Sequence, residues 1–342
     1  MAIRFPLGSP LRGLAAKPTE WVKNALSAPN GHLSHRERQD PHPSRLRRAT
    51  FPVGKGLIDW RKTMLLKTIA GASLVLACIL YLCLGWAIWT VPVAFLGLFL
   101  IGFALAVLFL WLICARVDLT KPQEEDDRFY RSVMYVYIEA LIQLVRVRLH
   151  TKGLENTPKN GRFLLVCNHL FIADPGIVLH CFRKSQLAFL TKKENYSLPF
   201  IGAFMHKILC QPVDRENDRQ ALKSILKCIQ LIREDKVSVC AFPEGYTSKD
   251  GKLHPFRSGV FKIAQKTNVP IVVCTIRGTR EIFKNLKHFR HTDVDFHLVE
   301  VIAPESYAGM NTVELGEMIY GKMIGDLGEE FRFIPPDSGL PS

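Results

Sequence analysis

Hydrophobic patterning divides the chain into zones before any residue is read for chemistry. From Thr68 to Ala115 there is no Asp, Glu, Lys, Arg or His, and the run divides near Trp89-Thr90-Val91-Pro92. Each half supplies the roughly 20 apolar residues a helix needs to cross a hydrocarbon core about 30 Å thick. The pattern predicts a transmembrane hairpin over residues 64–116, with Trp86, Trp89 and Trp111 at interfacial depths. A signal peptide fits poorly, because the run is too long and too far from the first residue.

After an acidic linker at residues 117–127 the period changes. Phe129 to Val147 is apolar on most faces and rich in aromatics, as suits a helix on a bilayer surface or packed under a domain. Beyond it, short apolar runs at 163–167, 187–190, 209–213, 237–242, 270–276 and 294–302 read as buried strands separated by helical segments. The clearest helix spans Asp218 to Ile232, where Ala221, Leu222, Ile225, Leu226, Ile229 and Ile232 recur at spacings of three and four as one buried stripe. A last helix begins at Asn311, with Glu314 three residues on completing a capping box. The layout predicts an α/β fold over residues 128–330, a mainly parallel sheet flanked by helices, followed by a tail at 331–342. Residues 1–60, rich in Pro, Arg, Ser and Gly and without apolar periodicity, read as a basic disordered segment.

Charge sharpens the membrane reading. The net +14 of the 342 residues divides into +9 over residues 1–67, −3 over 68–127 and +8 over 128–342. Arg61, Lys62 and Lys67 precede the hairpin and Arg116 follows it, while its internal connection has no basic residue. By the positive-inside rule both ends are expected in the cytoplasm, with the domain on the cytoplasmic face; a bacterial cytoplasmic membrane is the expected setting. A basic domain held at a membrane points to membrane lipids and a phosphate-bearing substrate rather than to nucleic acid, for which no spaced motif occurs. The nine cysteines stand singly, without a Cys-x2-Cys pair, as reduced core thiols do.

Candidate chemistry gathers where strands end. Cys167-Asn168-His169-Leu170-Phe171-Ile172-Ala173-Asp174-Pro175 joins a predicted strand to a predicted helix, with Asp174 at the N-cap and Pro175 at the first helical position. An imidazole there can take a proton from an alcohol, and a carboxylate on its other nitrogen would fix the tautomer. Alone, a His-x4-Asp pattern recurs by accident, and Asp174 has an alternative reading as a plain helix cap. Val213-Asp214-Arg215 closes another strand and offers a planar guanidinium suited to phosphate. Phe242-Pro243-Glu244-Gly245 follows a third, with a carboxylate able to accept from a substrate hydroxyl and a glycine permitting close backbone approach. Lys249, Lys252 and Arg257 make the next loop basic.

These segments, with Val269-Pro270-Ile271-Val272, resemble in order and separation the four motifs of the 1-acylglycerol-3-phosphate acyltransferases, a family of glycerolipid acyltransferases. The resemblance implies transfer of a fatty acyl group from acyl-CoA or acyl carrier protein to the free sn-2 hydroxyl of lysophosphatidic acid. His169 would be general base and Asp174 its partner, with no metal or cofactor. Arg215, Phe242, Pro243, Glu244, Gly245 and Lys249 would bind the acceptor. Two positions depart from the family pattern: Phe171 replaces a frequent serine, and Thr247 stands where the third motif usually has arginine. The second departure passes phosphate contact to Arg215 or Lys249, or implies a different lysolipid acceptor. A hydrolase is disfavoured because no Gly-x-Ser-x-Gly elbow occurs, and the intact His169 and Asp174 disfavour a purely lipid-binding role.

Overall fold

A computed structural model describes residues 64–85, 87–214 and 217–334. The expectations for residues 1–60, Trp86, Arg215 and the tail beyond Ile334 lie outside them. The strands are β1 (Val147–Lys152), β2 (Leu164–Cys167), β3 (Leu187–Lys192), β4 (Gln211–Val213), β5 (Ser238–Ala241), β6 (Ile271–Arg277) and β7 (Thr292–Ile302). They form one sheet in the order β1-β7-β6-β2-β5-β3-β4. Five neighbouring pairs are parallel, and only β6 and β7 run antiparallel. Strands β2, β5 and β6 sit in the middle, and nearly every residue in them is buried, which explains their mostly apolar runs.

One strand was not legible in the pattern. The helix expected to reach Val147 stops at Leu144, and Arg146, in the left-handed region at φ 57°, turns the chain into β1. As an edge strand paired to β7 alone, β1 keeps most of its residues in solvent and carries the charges Arg148 and Lys152.

Alternation along the strands separates two cores. Leu165, Cys167, Cys240, Val272 and Cys274 face helices α3 (Arg128–Leu144), α4 (Asp174–Cys181), α5 (Ile201–Lys207) and α8 (Ile282–Lys287). Leu164, Val166, Val239, Ala241 and Val273 face α6 (Asp218–Arg233), α7 (Lys262–Thr267) and α9 (Thr312–Leu327). Helix α9 has the expected capping box: Asn311 accepts from the Val313 and Glu314 amides, and Glu314 accepts from the Asn311 amide. In α6 the buried stripe is rotated from the expected one. Leu222 and Leu226 are 41% and 54% exposed, while Ser224, Cys228 and Leu231 join Ile229 and Ile232 in the interior. Ser224 explains the rotation, because its hydroxyl donates to the Pro212 carbonyl at 2.5 Å and draws that face onto β4.

Helices α1 (Met64–Leu84) and α2 (Thr90–Ala115) pack against each other, and both are long and apolar enough to cross a membrane. Helix α3 lies antiparallel along α2: Tyr130 donates to the Ile113 carbonyl at 3.0 Å and Tyr137 to that of Ala106 at 2.6 Å. Met134 and Tyr135 of the same helix are buried in the first core. Residues 117–127 are fastened down rather than loose. Asp126 pairs with Arg131 at 2.7 Å with both side chains only 6% exposed, and Arg131 also donates to the Leu187 carbonyl. Asp127 caps α3 by accepting from the Phe129 and Tyr130 amides.

The rotated stripe makes a direct test. Ile229→Ala is expected to cost about 2–4 kcal/mol of stability, whereas Leu226→Ala changes it by less than about 0.5 kcal/mol. Denaturant titration of the detergent-solubilised full chain reads both, and equal losses would contradict the rotation.

Candidate active site

Parallel strands deliver their following loops to one edge of the sheet, and three of the four motifs lie there. Leaving β2, the chain passes through Asn168, whose side chain donates to the Ile276 carbonyl at 3.0 Å and accepts from the Ile276 amide at 2.8 Å. This bidentate clamp ties the loop to the end of β6. His169 follows directly, with its side chain 15% exposed and its ring stacked on Phe242 at 4.3 Å.

Asp174 sits in the first turn of α4, not at its cap, and its carboxylate turns back into the loop. Oδ2 accepts from the Leu170 amide at 2.6 Å and the Phe171 amide at 2.7 Å, and lies 2.9 Å from His169 Nδ1. Two amide donors already define that oxygen as an acceptor, so Nδ1 must carry the proton. The neutral ring then has its lone pair on Nε2, for which no partner exists among the described residues. Asp174 is fully buried, and Oδ1 has no partner among the described residues either. A buried carboxylate on Nδ1 is the arrangement that stabilises an imidazolium once Nε2 accepts a proton.

Glu244 differs from the expectation of a group facing a substrate hydroxyl. It is 1% exposed, and its oxygens accept from the His169 amide at 2.8 Å and the His254 amide at 3.0 Å. Its geometry joins the histidine loop to the loop that follows β5. Burial raises its pKa to about 7 against the two amide donors, and the charges of Asp174 and Asp250 push the same way as burial. The loop is fixed further by the Ser248 amide donating to the His169 carbonyl and the Arg257 amide donating to the Pro243 carbonyl, both at 2.8 Å. Asp250 is held at about 2: burial opposes its charge, but the Lys252 amide, His254 and Ser248 all donate to it.

Gly245 has φ 81°, which only glycine adopts freely, and a Cβ there would come within 2.8 Å of Arg257 Cδ and Nε. The Arg257 stem therefore lies against the backbone of the third motif. Phe242 is half-buried beside His169, Pro243 is buried, and Lys249 is exposed with its carbonyl accepting from Arg280. The second motif ends β4, three strand places from β2, or about 14 Å at the usual strand spacing. Val269-Pro270-Ile271-Val272 enters β6 at the opposite edge and belongs to the core, away from the histidine. The sequence alone assigns no role to Asn168 or His254, whose contacts are buried or backbone-mediated across the fold, and gives Arg257 only as part of a basic loop.

A carboxylate-oriented histidine at the strand ends of a mainly parallel α/β sheet is an arrangement suited to acid–base chemistry. Residues 148–277 match the family described as Acyltransferase. The chain is 36% identical over 158 residues to a chloroplastic 1-acyl-sn-glycerol-3-phosphate acyltransferase of Brassica napus, covering 45% of each. It is 29% identical over 212 residues to a probable 1-acyl-sn-glycerol-3-phosphate acyltransferase of Mycoplasma pneumoniae, covering 59% of this chain and 77% of that one. It spans about half the length of the first of these curated relatives. Among solved structures, the acyltransferase PlsC of Thermotoga maritima aligns with TM-score 0.46 and 20% identity over 66% of this chain and 89% of that one.

The elevated Glu244 pKa has a stability consequence with a definite sign. Between its ordinary value of 4.5 and about 7 the folded chain holds a proton that the unfolded chain has released. Stability therefore falls as pH rises through that window, by on the order of 3 kcal/mol, and levels off above it. Glu244→Gln, although less stable overall through loss of one acceptor, should show a flatter profile in melts between pH 5 and about 8. Parallel profiles would contradict the assignment.

Proposed function

We propose that this protein transfers a fatty acyl group from a thioester, acyl-CoA or acyl carrier protein, to the free sn-2 hydroxyl of lysophosphatidic acid, giving phosphatidic acid. The observation that carries this reading is the convergence of His169 Nδ1 and the amides of Leu170 and Phe171 on Asp174 Oδ2. The names of the matched relatives favour lysophosphatidic acid as acceptor.

His169 Nε2 takes the proton of the acceptor hydroxyl as its oxygen attacks the thioester carbonyl carbon. The tetrahedral intermediate collapses with formation of the ester C–O bond and cleavage of the C–S bond, and the imidazolium returns the proton to the departing thiolate. A thioester is reactive enough that no covalent enzyme intermediate, metal or cofactor is needed. Asp174 holds the ring in the basic tautomer and offsets its charge while protonated. The exposed Gly245 loop borders the reaction space with backbone able to approach an oxyanion.

Acceptor phosphate falls to Arg257. Thr247 stands in the place of the family arginine, and Arg257 restores a guanidinium to the same loop through its packing on Gly245. Arg215 and Lys249 are the further cations of this reading. The hairpin crosses the bilayer with the domain on the cytoplasmic face, so that a lysolipid reaches the site from the membrane and a soluble donor from the cytosol.

In membranes, His169→Ala should lower acyl transfer by at least about 10²-fold, and Asp174→Asn should lower kcat by about 10²–10⁴-fold, without loss of folded protein. Retained turnover in His169→Ala would sink the mechanism. Arg257→Ala should raise KM for lysophosphatidic acid while leaving that for lysolipids without a phosphate monoester unchanged. An equal rise for both acceptors would remove Arg257 from phosphate recognition.

A further inference from the structure

A second surface feature lies outside this chemistry. Phe289 is 79% exposed, more than any other large apolar side chain among the described residues, the hairpin included, and Phe283 and Ile172 are 53% and 65% exposed. Phe289 also adopts φ 53°, a conformation that bulky residues rarely hold. Its backbone closes a tight turn after α8, with the Phe289 amide donating to the Leu286 carbonyl at 3.0 Å. The same stretch carries Lys284, Lys287 and Arg290, all exposed, with Arg280, which donates to the Lys249 carbonyl, and one acid, Glu281, 3.1 Å from Lys284. Exposed aromatic side chains on a basic stretch are costly in water and match the headgroup region of an anionic bilayer, which takes rings at the interface and attracts the cations beside them.

Its position in the fold agrees with that partner. Ile282 anchors α8 in the core on the same sheet face against which Leu110, Ile113 and Cys114 of α2 pack. The patch therefore lies on the hairpin's side of the sheet. It also adjoins the histidine loop: the rings of Phe283 and Phe171 meet edge-on at 4.9 Å, and the Phe171 amide is one of the two that fix Asp174.

We infer that α8 and the turn after it form a second membrane contact, in which Phe283, Phe289 and Ile172 enter the interface of an anionic bilayer and the cations of this stretch meet lipid phosphates. This inference rests on the hairpin crossing a membrane and not on the acyl-transfer reading. Through Phe171 the contact sets the histidine loop at the bilayer surface.

Amide hydrogen exchange of the full chain in nanodiscs tests it, comparing phosphatidylcholine alone with phosphatidylcholine plus phosphatidylglycerol. Residues 280–291 should exchange several-fold more slowly in the anionic discs, and a Phe283→Ser/Phe289→Ser variant should lose that difference while α9 exchanges as before. His169→Ala should keep it, so that failure of the catalytic reading leaves this test intact. Equal exchange in both discs overturns the inference, as does protection that survives in the double variant. Protection that appears only when an acidic acyl carrier protein is added to phosphatidylcholine discs also overturns it, in favour of a protein-docking surface.

Discussion

One buried carboxylate holds the site together. Glu244 receives the amide of His169 on one oxygen and that of His254 on the other, so two loops from different strands share a single anchor with almost no solvent contact. Removing water from a carboxylate is unfavourable, and the fold offsets that cost with donors whose own positions matter to the chemistry. The placement of the histidine backbone, the turn at Gly245 and the stem of Arg257 above it all follow from that anchor. Its elevated pKa is the electrostatic trace of the same constraint.

Asp174 shows how a residue type favoured at helix starts can be used otherwise. A short acidic side chain before Pro175 reads as a cap, and the helix does begin there. Yet its carboxylate serves the preceding loop, where two amides and an imidazole converge on one oxygen. The two amide bonds make the loop rigid and decide which ring nitrogen holds the proton.

Much of this was legible in the chain because periodicity follows from burial. The central strands are mostly apolar since both faces are covered, and the Asn311 capping box is local by nature. Strand β1 escaped because an edge strand in solvent carries no such pattern, and α6 was misphased because Ser224 is buried through a hydrogen bond that hydropathy does not register. At the site, the histidine and its partner lie five residues apart and were visible together. Glu244 was visible as a candidate but not in its true contacts, since its partners are backbone groups, one of them 75 residues away. The Asn168 clamp onto Ile276 spans 108 residues and left no sequence mark.

Helix α3 belongs to two structures at once. Tyr130 and Tyr137 receive the hairpin, while Met134 and Tyr135 complete the sheet's first core. The hairpin is therefore a wall of the domain and not a leash attached to it. The chain cannot be cut into an anchor and an independent soluble module without uncovering an apolar side of α3, so its inheritance, engineering and purification have to treat the two as one unit.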